Sequence, residues 1–340
     1  MNGNRRYWGM CMVADAATMA NIAAACEAAR LEGIWTVQLY GPPFVPLAAL
    51  AMATKRVKLG TGVALAFTRS PLETALSAID VDTMSGGRMV LGLGTSIRWW
   101  NESWHGVTYG KPIAHLREVV RIVRQIIAGA HSGQLGKIEG EYHKLDLTGF
   151  RTFAPPVRDR IPIYLPAVFE SAVRLAGEIA DGLPGHPIWS ARWIENEVKT
   201  NLEASLKKAG RKRSDIDLNI WAFVAIDENR KQAIEDARGT VAFYASMEQY
   251  EKYFATHGFG AEARAAFQAA SRGDSAAMVK AIPDEMVTTF AVAGTRDEVR
   301  ERVERIWATA DSVTLVAPPV MTGAERVVEL QRRIAETFYV

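Results

Sequence analysis

Residues 98–105 read Arg-Trp-Trp-Asn-Glu-Ser-Trp-His and follow directly on the apolar run Met89–Gly94 and the small pair Thr95 and Ser96. An imidazole and a carboxylate this close in an aromatic setting can move a proton to or from a bound molecule. His105 and Glu102 are therefore the candidates for proton transfer, with Tyr40 as a hydrogen-bonding or acidic partner. Phe67, Trp99, Trp100 and Asn101 are the candidates for the wall of an apolar substrate pocket. Two further segments suit a ligand. Glycines interrupt Lys58-Leu59-Gly60-Thr61-Gly62-Val63, which suggests a bulge or a close approach by a bound molecule. Ala167-Val168-Phe169-Glu170-Ser171 leads into a helical run, and a helix start offers free N–H groups to a phosphate.

The elements that position these residues follow from hydrophobic periodicity. Short runs rich in Val, Ile, Leu and aromatics alternate with longer runs at helical spacing along the whole chain, which implies parallel strands joined by helices. The expected strands are Tyr7 to Val13, Trp35 to Tyr40, Val57 to Leu65, Met89 to Gly94, Ile161 to Val168, Gly182 to His186, Leu218 to Ile226 and Ser312 to Ala317. Eight such units point to an α/β chain folded as a (β/α)8 TIM barrel with insertions; a doubly wound open sheet shares the periodicity, which does not show closure. The reading takes residues 1–340 as one domain, with insertions at about 132–160, where Tyr142–Leu147 alternates like a hairpin strand, and about 244–283, rich in Ala. The Arg98–His105 cluster then falls just past a strand's C-terminal end, where such barrels keep their chemistry. Gly92 and Gly94 begin a dinucleotide-type glycine pattern, but Ile97 stands where its third glycine is required, so that fingerprint fails.

Composition narrows the function. The chain has 340 residues, a formal charge of +2 and 49% apolar residues, with nine Trp and twelve Phe. That is enough to fill a large core. Acidic and basic residues are interleaved, so no field gathers a polyanion and nucleic acid is not an expected partner. Cys11 and Cys26 are far apart and without zinc-type spacing, which reads as buried reduced thiols, and no metal site is expected. No uncharged apolar stretch of about 18 residues occurs, and no export signal is evident, so no membrane partner and a cytoplasmic location are expected.

Several motifs together resemble the bacterial luciferase-like superfamily of monooxygenases and F420-dependent oxidoreductases. They are Leu47–Thr54, Leu59-Gly60-Thr61-Gly62-Val63, the Gly87-Arg88 strand ending Leu91-Gly92-Leu93-Gly94, Trp104-His105-Gly106, Leu175–Gly182 and Ala293–Val299, in the family's order and spacing. The resemblance implies a barrel oxidoreductase that holds coenzyme F420, or alternatively FMN, over the strand ends. It implies a non-prolyl cis peptide at Gly62-Val63, a ring bordered by Thr95 and Ser96, and a coenzyme phosphate near Ala167, Val168, Phe169, Glu170 and Ser171 and near Gly185, His186 and Pro187. It also implies a homodimer. The run Gly182–Pro187 favours F420, and hydride transfer to or from a small, largely apolar organic molecule is the expected reaction. An FMN-dependent monooxygenase and a non-catalytic flavin-binding protein are the alternatives. Leu39-Tyr40 and Ile97 replace the Asp-His pair and the acid of the family's sugar-phosphate dehydrogenases, which excludes that reaction. Phe169-Glu170 replaces a common Gly-Pro, so Glu170 must turn away for a phosphate to bind.

Overall fold

The computed structural model describes residues 5–39 and 41–339. Tyr40 lies outside the described residues. The strands are β1 Tyr7–Cys11, β2 Gly33–Thr36, β3 Lys58–Thr61, β4 Ala64–Leu65, β5 Met89–Gly94, β6 Gly136–Glu139, β7 Lys144–Leu147, β8 Ile163–Tyr164, β9 Gly182–Pro184, β10 Asp217–Ile226, β11 Val292–Gly294 and β12 Ser312–Val316. β1, β2, β3, β5, β8, β9, β10 and β12 pair in a closed ring of eight parallel strands, and the fold is a (β/α)8 barrel. By residue contacts the chain divides into two units: Met1–Pro184 with Glu197–Asn219, and Gly185–Asn196 with Ile220–Val340.

The first unit is built on a repeated pairing of a large ring with a glycine. The parallel registers set Trp8 opposite Gly33, Trp35 opposite Gly60 and Tyr164 opposite Gly182. A Cβ at Gly33 would stand 2.3 Å from Trp8, one at Gly60 2.1 Å from Trp35, and one at Gly182 2.3 Å from Tyr164. Each ring thus fills the space that its neighbour's missing side chain leaves. Trp8 and Trp35, both fully buried, stack at 4.0 Å, and the Tyr164 hydroxyl donates to Asp217 at 2.8 Å, whose other oxygen accepts from Arg6 at 2.7 Å. Gly60, which suggested a bulge or ligand approach, therefore packs against Trp35 instead.

Most strand positions agree with the periodicity, and the differences have physical causes. β8 covers two residues rather than eight because Pro162 and Pro166 flank it and cannot donate to a ladder. β2 ends at Thr36, where its carbonyl accepts from Gly62 N, and the chain beyond turns Gln38 to side-chain duty. β11, three residues pairing with Val224–Ile226, is too short for a periodic signal. The first expected insertion holds the antiparallel pair β6 and β7, and the second holds the short helices Glu251–Thr256, Gly260–Ser271 and Ser275–Lys280. Arg88 donates to Ser85 O, Val57 O, Thr54 and Ala51 O, tying the helices Phe44–Ala53 and Pro71–Ser85 to the start of β5. In the second unit the last helix, Ala324–Phe338, is held by Arg326, which reaches Asp227 at 2.6 Å and Asp236 at 2.7 Å.

Cys11 and Cys26 are free and buried, and burial pushes their thiols up, to about 11 and about 12. Among the described residues no helix is long and apolar enough to cross a membrane.

Candidate functional site

In the first unit the C-terminal ends of β2, β4 and β5 carry the residues expected to do chemistry. The Gly62–Val63 peptide is cis, as the family resemblance implies. Val63 packs toward β5: a Cβ at Gly94 would meet its Cγ2 at 2.6 Å. Past β5, Ser96 adopts φ +54, a left-handed conformation unusual for a residue with a side chain. Its surroundings hold it there. Tyr109 donates its hydroxyl to Ser96 O at 2.9 Å, and Asn101 donates to Thr95 O at 2.9 Å and Ile97 O at 2.8 Å. Asn101 is fully buried, so its amide braces the turn from within.

Residues Trp100–Trp104 form a π-helix, a rare wind that recurs at functional sites. It stacks Trp100 on Trp104 at 5.0 Å, sets Trp99 edge-on to Trp104 at 5.2 Å and leaves His105 exposed at its end. His105 and Trp104 line a cavity of 470 Å³ with Gln38, Leu39, Thr68 and Arg69. The structure thus brings His105 into a cavity but separates Glu102 from it in role, because Arg98 donates to the Glu102 carboxylate at 2.6 Å on the exposed side. Trp99 is more than half exposed. Phe67 is buried face to face with His115 at 3.9 Å, so it supports the region from behind. Sequence reading passed over Gln38, Thr68 and Arg69. The usable signal for Arg69 was its position just beyond the C-terminal end of a barrel strand and just before the Ser70-Pro71 helix start.

The segment where the resemblance implies a phosphate is the start of a helix. The helix Glu170–Ile179 starts at Phe169 without a side-chain cap, which leaves N–H groups of its first turn to other acceptors. The carboxylate of Glu170 is drawn along the helix to Arg174 at 2.6 Å, turning its charge to a partner one turn away. Val168 and Ser171 flank the helix start, and Ala167 is buried beneath it.

Burial favours the neutral form of four histidines. In the first unit His115 lies between Phe67 and Tyr142, and its Nε2 meets His143 Nε2 at 2.9 Å, so one ring donates to the other. Burial pushes both rings down, and for His143 the proximity of His115 adds to the effect. In the second unit His257 is pushed down by burial; its Nδ1 and Nε2 meet Tyr253 O at 2.9 Å and Ser190 Oγ at 2.7 Å. His186, edge-on to Tyr244 and 3.2 Å from the Tyr250 hydroxyl, is pushed down by burial to about 3. Unfolded histidines take up a proton near pH 6.5, so below that value the unfolded state binds more protons and stability falls with falling pH. His186, held well below pH 5, contributes up to roughly 2 kcal/mol to the loss at about pH 5, and the other three add to it in the same direction. Urea midpoints at about pH 7.5 and about pH 5 check this: the midpoint drops at the lower pH, and His186→Gln narrows the drop.

Residues 5–311 match the sequence model of the luciferase-like monooxygenase family. The chain belongs to that family. It is an oxidoreductase. It is 34% identical to an uncharacterized protein of Mycobacterium tuberculosis, covering 83% of this chain and 84% of that one. It is 31% identical to the 5,10-methylenetetrahydromethanopterin reductase of Archaeoglobus fulgidus, covering 84% and 83%. The structure of the coenzyme F420 dependent tetrahydromethanopterin reductase of Methanopyrus kandleri superposes with a TM-score of 0.80 at 24% identity, over 98% of this chain and all of that one. That superposition shows the shared barrel fold.

Proposed function

We propose that this family member exchanges hydride between coenzyme F420 and a small organic substrate seated in the cavity lined by His105. The observation that carries the reading is that cavity: it opens beyond the C-terminal ends of consecutive barrel strands, next in sequence to the positions the family uses for the ring. A 31% identical relative of Mycobacterium tuberculosis, a putative coenzyme F420-dependent oxidoreductase, supports F420.

The residues fit such a coenzyme. Gly62, Val63, Thr95 and Ser96 would border its ring, on backbone fixed by Asn101 and Tyr109. Ala167 to Ser171 would hold its phosphate through the uncapped helix start. When bound, F420 supplies a carbon that gives or takes hydride. The chain's own part is orientation and proton handling. His105, on the cavity wall, gives or takes the proton that balances hydride transfer at a polar double bond. Trp104 and Leu39 cover apolar parts of the substrate and limit water. Glu102 orients Arg98 rather than the substrate, so Glu102→Gln changes kcat by no more than about twofold, the scale of an exposed ion pair.

Quenching of coenzyme fluorescence on titration tests the reading. F420 is expected to bind at micromolar concentration, at least tenfold more tightly than FMN. Tighter binding of FMN would replace the reading with the flavin monooxygenase, and binding of F420 without any turnover would replace it with a coenzyme carrier.

A further inference from the structure

The cavity wall carries a cation, Arg69, that no carboxylate pairs with among the described residues. Arg69 sits between the end of β4 and Ser70, the cap of the helix Pro71–Ser85. Both of its terminal nitrogens donate to one acceptor, Gln38 Oε1, at 3.0 Å each. The same oxygen accepts from Leu65 N at 2.9 Å, so Gln38, itself buried, is pinned to β4 and in turn pins the guanidinium. On another side the Arg69 Cζ lies 5.6 Å from the Phe44 ring centroid. Among the described residues no carboxylate forms an ion pair with Arg69, and the charge of Glu73, one turn into the next helix, acts on it only from a distance. Neutral partners hold this guanidinium in place without neutralising it.

A charge taken partly out of water and met only by an amide and an aromatic face is costly unless something else completes it. Arg158 and Arg124 of the first unit show the contrast. Arg158 reaches Asp82 at 2.7 Å, and Arg124 reaches Asp181 at 3.1 Å. Arg69 faces instead a 470 Å³ cavity shared with Thr68 and His105. A planar guanidinium offers donors in a fork that matches a carboxylate, so what completes it is an anionic oxygen pair.

We propose that Arg69 is the anion subsite of the substrate pocket, and that the substrate carries a carboxylate beside its reacting carbon skeleton. This rests on the cavity being the substrate site, and it departs from the largely apolar substrate that the tryptophans suggested. Gln38 is then a positioning residue, because it acts only through the guanidinium. The indole of Trp104 and the side chain of Leu39 take the apolar body, and His105 completes the polar end.

Benzoate and benzamide, alike in size and shape but differing in charge, serve as probes by calorimetric titration of the full chain. The wild type is expected to bind benzoate at least tenfold more tightly than benzamide, the scale of a charge-assisted hydrogen bond. Arg69→Met removes the preference, Arg69→Lys keeps part of it, and Gln38→Leu weakens it. Equal binding of the two probes by the wild type overturns the proposal without any variant having to fold. A preference that persists in a folded Arg69→Met overturns it as well. F420 quenching in the same samples separates the two readings. F420 binding without a benzoate preference sinks the anion subsite alone, and a benzoate preference without F420 binding sinks the hydride-transfer reading alone.

Discussion

His105→Ala lowers kcat about 100-fold, the low end of what a positioned acid or base contributes, while the dissociation constant for F420 stays within about twofold. The loss belongs to kcat because hydride arriving at a carbonyl or imine carbon leaves charge on the heteroatom, and a proton must meet it. His105 is the titratable side chain that the π-helix Trp100–Trp104 delivers to the cavity wall. Its exposure sets the size of the effect at the low end, since water can stand in for part of its work. Coenzyme affinity is spared because the proposed ring and phosphate contacts lie on other segments, at Gly62–Val63, Thr95–Ser96 and the helix start at Phe169. Steady-state turnover combined with quenching titration checks both halves. A fall in coenzyme affinity with kcat unchanged would move His105 out of proton transfer and into coenzyme binding.

Gly92→Ala is expected to cost about 3 kcal/mol or more, or to prevent folding, which places it among the severe core substitutions. The added Cβ would stand 2.0 Å from Thr61 O and 3.2 Å from Thr61 C, so the clash is with backbone and no rotamer change relieves it. β3 cannot retreat. It is paired with β5 through Leu59↔Met89 and Gly60↔Val90, and Thr61 Oγ1 donates to Gly92 O at 2.7 Å. Gly323→Ala is the control. Nothing lies within 4 Å of its added carbon, and its φ of −58 suits any residue. Urea unfolding of the two variants beside the wild type measures the difference; a Gly92→Ala chain as stable as Gly323→Ala would contradict the packing described for β3 and β5.

These two residues show what a sequence can and cannot display. The Met89–Gly94 strand is legible to the residue, because six apolar or glycine positions bounded by Gly87 and Thr95 admit one reading. What each glycine faces is not legible. Gly60 and Gly92 look alike as strand glycines beside a site, yet one accommodates the Trp35 ring and the other a carbonyl of β3, a distinction that depends on register between strands distant in sequence. His105 could be found because its place after a barrel strand is a topological fact, readable once strands are counted. Arg69 shares that kind of place but reads as an ordinary loop cation before a helix. Its significance depends on Gln38 being the partner and on no carboxylate pairing with it, and neither is written in local sequence. Asn101 illustrates the reverse: it stands among pocket-type residues, yet folding turns its amide to the carbonyls of Thr95 and Ile97.

The most direct test of the account follows the coenzyme itself. Reduced F420 is mixed with the full chain and a panel of small carbonyl and imine compounds, with and without a carboxylate, in the absence of oxygen, and the return of the oxidised deazaflavin absorbance is recorded. The account predicts oxidation of the coenzyme without oxygen, fastest with the carboxylate-bearing members, and at least tenfold slower with His105→Ala. Reduced F420 that persists with every compound, while reduced FMN is consumed only when oxygen is admitted, would contradict it.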